Sequence, residues 1–325
     1  MVASVALKAP FPWFGGKATI ASLVWERFGP VANYVEPFFG SGAVLLGNPA
    51  PPVSETVNDA DALLCNFWRA LQADPEAVAY HADYPVSEVD LHARHLWLLD
   101  RKRDVARMIA DPEWFDAKTA GWWVWGTCAW IGSGWCSGRG PWHLVGGELV
   151  NTSETSKLPH LGDAGQGINR QLPHLGDAGR GIADYLATLA DRLRRVRITC
   201  GDWSRVVGPS VTTRHGLTAV FLDPPYSHDE RQADLYSHDH NIGADVRDWA
   251  IEQGSDPLLR IALCGYEGEH TMPEGWEVVR WKARGGFGSQ GDSRGRQNAT
   301  RECVWFSPTC LGRRITQSLL PGVTP

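Results

Sequence analysis

Residues 219–222, Ala-Val-Phe-Leu, run directly into Asp223-Pro224-Pro225-Tyr226. A short apolar run rich in β-formers reads as a strand buried on both faces. The two prolines end it, because neither can donate to a ladder, and their fixed φ makes the following turn stiff. A stiff turn at the carboxyl end of a buried strand holds a carboxylate, backbone carbonyls and an aromatic ring in the crevice where open α/β sheets bind ligands. Such a corner suits a flat base carrying an amine.

The segments upstream supply a second constraint. Tyr34-Val35-Glu36-Pro37-Phe38-Phe39-Gly40-Ser41-Gly42 reads as a strand passing through a glycine-rich turn into a helix, where backbone N–H groups approach a cofactor closely. Leu45 stands where a dinucleotide fingerprint needs its third glycine, which disfavours a nicotinamide or flavin dinucleotide. Residues 55–61 form a second strand ending in acids. Asp59 is the candidate ribose ligand there, and Asp61 is a candidate cap for a helix carrying Leu63, Leu64, Phe67, Trp68 and Leu71 at core spacing. Trp13-Phe14-Gly15-Gly16-Lys17 reads as a turn with aromatics beside a glycine pair, and Gly201-Asp202-Trp203 follows a strand at 196–200.

These segments resemble the DNA adenine N6-methyltransferases that depend on S-adenosylmethionine. Asp223, Pro224, Pro225 and Tyr226 match that family's catalytic Asp-Pro-Pro-Tyr motif, and residues 36–42 resemble its Glu-Pro-Phe-x-Gly-x-Gly motif. The resemblance implies cofactor contacts from Trp13, Phe14, Gly15, Gly16 and Lys17, from Glu36, Pro37, Phe38, Gly40 and Gly42, and from Asp59, Asp202 and Trp203. At Asp59-x-Asp61 the family has Asp-x-Asn, so Asp61 departs from the pattern. Cofactor motifs first, a long insertion next and the catalytic corner last is the order called class alpha among amino-methyltransferases. The members most resembled are carried by phages or prophages. The fold expected is α/β, a Rossmann-like methyltransferase sheet with a mainly helical inserted recognition domain. Residues 1–75 and 196–310 make up the catalytic domain, residues 76–195 the insert, and residues 311–325 a tail.

Within the insert, Trp122, Trp123, Trp125, Trp130 and Trp135 read either as a helix core or as aromatic surfaces for DNA, in a chain with 16 Trp. Leu158-Pro159-His160-Leu161-Gly162-Asp163-Ala164-Gly165 recurs at residues 172–179, a spacing too short for a solenoid unit. The two copies suggest a duplicated DNA-contacting loop. Candidate DNA contacts are Arg139, His160, Arg170, His174, Arg180, Arg294 and Arg296. A net charge of −6 runs against nucleic-acid binding in bulk, so local basic clusters around Arg139, residues 192–197 and residues 294–301 have to supply it. Polar residues 227–240, with Ser-His-Asp twice, form a candidate cover over an extruded base. Seven scattered cysteines without a Cys-x-x-Cys pair indicate neither a disulfide framework nor a thiolate zinc site. With no targeting segment or membrane-length apolar run, the expected compartment is the cytoplasm, that of the host if phage-encoded.

The expected chemistry is direct transfer of a methyl group to adenine N6 in double-stranded DNA. The N6 lone pair is delocalised into the ring, so the amine needs acceptors that align it and stabilise the charge growing on nitrogen. Asp223 and the Pro224 carbonyl are those acceptors, and Tyr226 is the ring on which the base stacks. Cytosine C5 chemistry would need an activated cysteine, and no Pro-Cys pair exists in the chain. Methylation of cytosine N4 and a non-enzymatic DNA-binding protein of the same fold are the alternatives.

Overall fold

A computed structural model of the chain describes residues 7–13, 16–48, 50–103, 107–130, 135–136, 142–145, 148–151, 181–226, 239–282 and 301–312. In chain order its elements are α1 (Ala21–Phe28), β1 (Asn33–Glu36), α2 (Ala43–Leu46), β2 (Ser54–Asp59), α3 (Ala62–Ala73), α4 (Pro75–Ala82), α5 (Glu88–Arg101), α6 (Arg107–Ala110) and α7 (Ala117–Ala129). A hairpin of β3 (Trp142–Val145) and β4 (Glu148–Asn151) follows. Then come α8 (Ile182–Leu193), β5 (Val196–Cys200), β6 (Thr218–Leu222), α9 (Asp239–Gln253), β7 (Leu259–Tyr266), β8 (Glu277–Arg280) and β9 (Glu302–Phe306).

Seven strands form one sheet in the order β5-β2-β1-β6-β7-β9-β8. The first five run parallel, and β9 runs against both of its neighbours. This is the expected α/β class. From β1 the chain moves outward to β2, and from β6 it moves the opposite way to β7, so the strand order reverses between the carboxyl ends of β1 and β6. A crevice opens at such a reversal. Every residue of β1 and of β6 is buried, as the apolar run at 219–222 requires of a central strand.

Aspartates start the helices on the flank of β2. Asp61 accepts from the Leu63 and Leu64 N–H groups at 2.8 and 3.4 Å and starts α3. Asp74 does the same for α4, which opens on Pro75, and Asp116 for α7. Helices α3, α4, α7 and α8 pack on one another, and a single hydrophobic core joins Phe11, Phe39, Phe67, Trp68, Trp123 and Leu186. Among the described residues this core therefore continues across residue 75 and residue 195. On α8, Arg192 reaches both Glu55 carboxylate oxygens at 2.7 Å and ties that helix to β2. Of the basic run at 192–197, this arginine is turned inward.

The tryptophans at 123, 125 and 130 settle as core. Trp125 donates to the Tyr84 carbonyl at 2.8 Å and Trp135 to that of Trp123 at 3.0 Å, so burying these indoles strands no donor. Trp122 keeps some exposure, with Arg94 and Lys118 over its ring. No described helix is long and apolar enough to cross a membrane.

Candidate active site

The glycine-rich turn after β1 is held from three sides. Phe39 N–H donates to the Asn58 carbonyl at 2.9 Å, Gly40 N–H to Asp59 Oδ2 at 3.0 Å, and the Trp68 indole to the Gly40 carbonyl at 3.1 Å. Gly40 and Gly42 both sit in the left-handed region, at φ +48° and +68°. A Cβ on Gly40 would lie 2.5 Å from the Trp13 indole nitrogen, so Trp13 is packed directly against this turn. The helix that follows is a single turn, α2, and its dipole is correspondingly small. Backbone approach at the glycines, rather than a long helix axis, is what the loop offers a cofactor.

Asp59 closes the end of β2. Its Oδ1 accepts from Asp61 N–H at 2.9 Å, and burial pushes its carboxyl up to about 6 against the backbone donors that hold it. Asn58, which sequence reasoning passed over, bridges the turns by donating to the Pro37 and Gly201 carbonyls at 3.1 and 2.9 Å. Asp202 is exposed and caps the short turn Trp203–Val206 through Ser204 N–H. The Phe38 and Trp203 rings lie near-parallel, 26° apart with centroids 6.3 Å apart, and form a flat apolar wall at the same end of the sheet. Glu36 is 2% exposed, accepts from the Tyr34 hydroxyl at 2.8 Å, and burial raises its carboxyl well above the usual range. Phe14 and Gly15 lie outside the described residues.

Across the crevice, Asp223 follows β6 directly. Its Oδ1 receives two donors, the Lys17 ammonium at 3.0 Å and the Tyr226 hydroxyl at 2.9 Å. Among the described residues no hydrogen bond falls on Oδ2, and a fifth of the side chain remains exposed. Lys17 is thus brought to the Asp-Pro-Pro-Tyr corner after β6. Burial alone would lower its ammonium, but Asp223, with smaller help from Cys264 and Glu302, outweighs this and raises it. The Tyr226 hydroxyl also lies 3.0 Å from Glu302 Oε2, its ring packs edge-on against Tyr266, and Lys17 Nζ sits 5.1 Å from its centroid. Pro224 is buried and Pro225 exposed.

Sequence reasoning missed Glu302, which opens β9 and is 4% exposed. The signal was present as one acid at the head of an otherwise apolar strand, Glu302-Cys303-Val304-Trp305-Phe306. Burial raises its carboxyl above the usual range against the pull of Lys17. The candidate DNA contacts Arg139, His160, Arg170, His174, Arg180, Arg294 and Arg296, both copies of the repeat and residues 227–238 lie outside the described residues.

A turn that glycines let a ligand approach, a half-buried carboxylate and a flat aromatic wall at one end of the sheet fit a nucleoside with a charged tail. Residues 13–94, which hold that turn and Asp59, match the family model of the D12 class N6 adenine-specific DNA methyltransferases. Over that span the chain is similar to this class. Its activity is methylation of adenine N6 in DNA, with S-adenosylmethionine as methyl donor. No curated protein matches the chain. The Asp-Pro-Pro-Tyr corner of this methyltransferase lies beyond the matched span.

Proposed function

We propose that the enzyme methylates an adenine turned out of double-stranded DNA, by direct in-line transfer at the crevice between β1 and β6. The observation that carries this reading is the state of Asp223. Lys17 and Tyr226 occupy Oδ1, so Oδ2 is the oxygen left to accept from the exocyclic amine. The Pro224 carbonyl is the second acceptor. Together they fix the plane of the NH2 group, turn its lone pair toward the methyl group and stabilise the positive charge that grows on nitrogen. Tyr226 supplies a ring for the base to lie against, with stacking of this kind worth about 1–3 kcal/mol.

S-adenosylmethionine, when bound, supplies an electrophilic methyl group. The residues that would hold it are Gly40 and Gly42 through their backbone, Asp59 at the ribose hydroxyls, and Phe38, Asp202 and Trp203 at the adenine, with Trp13, Gly16 and Pro37 shaping the pocket floor. Residues 76–195 are the proposed recognition region and residues 294–301 a second DNA contact. We place the enzyme in the cytoplasm, and its likeness to phage-borne members suggests a phage or prophage origin.

Ribose hydroxyls donate, so Asp59 binds them best as a carboxylate. Its value near 6 means that this form is complete above neutral pH and is lost as the pH falls through that value. Cofactor affinity measured by calorimetry is expected to be flat above neutrality and to weaken roughly tenfold per pH unit well below about 6. Affinity independent of pH down to the ordinary aspartate range would remove Asp59 from the ribose site.

The reading is tested by incubating the protein with S-adenosylmethionine and a mixed-sequence plasmid and mapping modified bases by single-molecule sequencing. N6-methyladenine confined to one short motif is the expected result. Methyl groups on cytosine N4 would redirect the reading to that base. Their absence from both bases in a folded, cofactor-binding preparation would refute it.

A further inference from the structure

The catalytic corner contains a chain of three oxygens whose spacing requires more hydrogens than the tyrosine has. Asp223 Oδ1, Tyr226 Oη and Glu302 Oε2 stand 2.9 and 3.0 Å apart in sequence. Each separation is a hydrogen-bond length and needs one proton between the oxygens. The phenol supplies one. The second has to come from one of the two carboxyl groups, and the Lys17 ammonium decides which. It contacts Asp223 at 3.0 Å and stands 3.8 Å from Glu302, beyond hydrogen-bond reach.

Charge leads to the same assignment. Lys17, Asp223 and Glu302 are largely withdrawn from water, with side chains 5%, 20% and 5% exposed. Among the described residues one ammonium balances one carboxylate, and a second buried carboxylate would stand uncompensated. Resting on the reading of Asp223 given above, we infer that Glu302 is a positioning residue that stays protonated and donates to Tyr226 Oη. The phenol hydrogen is thereby committed to Asp223 Oδ1, and Oδ2 is kept open for the substrate amine. Burial of Glu302, which raises its carboxyl, agrees with the geometry.

The position of Glu302 explains why it can do this. It pairs with Tyr266 across the β7–β9 ladder, and Trp281 N–H donates to its carbonyl at 3.0 Å, so its backbone is fixed on both sides. The groups that face it or lie next in the network are Lys17 from the amino-terminal turn, Asp223 and Tyr226 from the corner after β6, Cys264 and Tyr266 from β7, and Glu269 and Arg301 from the flanking turns. Of these, Lys17, Tyr226, Cys264 and Tyr266 are all raised above their usual values, so the ionisation of Glu302 comes before theirs as the pH rises.

Ionised Glu302 would compete for the phenol hydrogen and draw Lys17 away from Asp223. The single-turnover methylation rate of the wild type should therefore fall as the pH rises through Glu302's ionisation. Glu302→Gln carries a permanent N–H donor in nearly the same shape. It is expected to retain transfer within about fivefold and to lose that fall, while Glu302→Ala is slowed roughly tenfold or more at every pH because the phenol is no longer oriented. Melting temperature and cofactor affinity are measured alongside. If Glu302→Ala does not fold, the comparison of wild type with Glu302→Gln decides alone. A Glu302→Gln enzyme with the wild-type pH profile, or a folded Glu302→Ala enzyme with the wild-type rate, would overturn the inference. Asp223→Ala run in parallel separates the two levels, since its normal turnover would overturn the proposed mechanism itself.

Discussion

Alanine at position 223 is expected to slow methyl transfer by about 10²–10³-fold, the cost of deleting one aligned acceptor from a water-poor site. Cofactor affinity should change less than about threefold, because Asp223 follows β6 while the proposed cofactor residues are grouped around β1, β2 and β5. Loss of the carboxylate leaves the Lys17 ammonium without its nearer partner, which in a buried pair is strongly destabilising when nothing replaces it. Here Glu302 lies 3.8 Å away and can ionise to meet the ammonium, so the variant should fold with a moderate fall in melting temperature. The measurement is single-turnover incorporation of a labelled methyl group at saturating cofactor, with binding followed separately by calorimetry. Near-normal turnover would remove Asp223 from the mechanism.

What could be read in the sequence was what local chemistry names. The apolar run before Asp223 has one structural use, a central strand, and the prolines after it fix where that strand stops. Asp61 departs from the family pattern and caps α3, a role that an asparagine fills equally well. The tryptophans were ambiguous for a physical cause: an indole at helical spacing serves a core and a base-stacking surface equally well, and burial alone separates them. That Lys17 and Glu302 meet at Asp223 was beyond reach for another reason. The first belongs to an amino-terminal turn, and the second opens β9, which pairs with β7 next to β6 and so brings Glu302 to the carboxyl end of β6. Strand order across a sheet leaves no mark at any one residue. The helix after Gly42 proved to be a single turn, so on the proposed reading cofactor binding falls to the glycine backbone.

That makes Gly40 the most sensitive point of the cofactor loop. At φ +48° an L residue is strained by roughly 1–2 kcal/mol, and the new methyl group would stand 2.5 Å from the Trp13 indole nitrogen and 2.7 Å from its Cδ1. The clash can be relieved only by moving Trp13 or the turn. Trp13 packs against Phe11 and Trp123 at centroid distances of 5.6 and 6.1 Å, while hydrogen bonds to Asp59 and Trp68 hold the turn. Displacing packed atoms of this kind costs about 1–3 kcal/mol more. Since Gly40 N–H is also what holds Asp59 Oδ2, the strain reaches the carboxylate proposed to bind the ribose as well as the backbone. Gly40→Ala is therefore expected to weaken S-adenosylmethionine binding about 100-fold, a loss of about 2.7 kcal/mol. Gly208→Ala is the control: a Cβ there meets nothing within 4 Å and no unusual φ has to be kept, so affinity and melting temperature should stay near wild type. Equal cofactor affinity in Gly40→Ala and wild type would mean that the turn after β1 does not touch the cofactor, and the pocket would then have to be sought away from the reversal between β1 and β6.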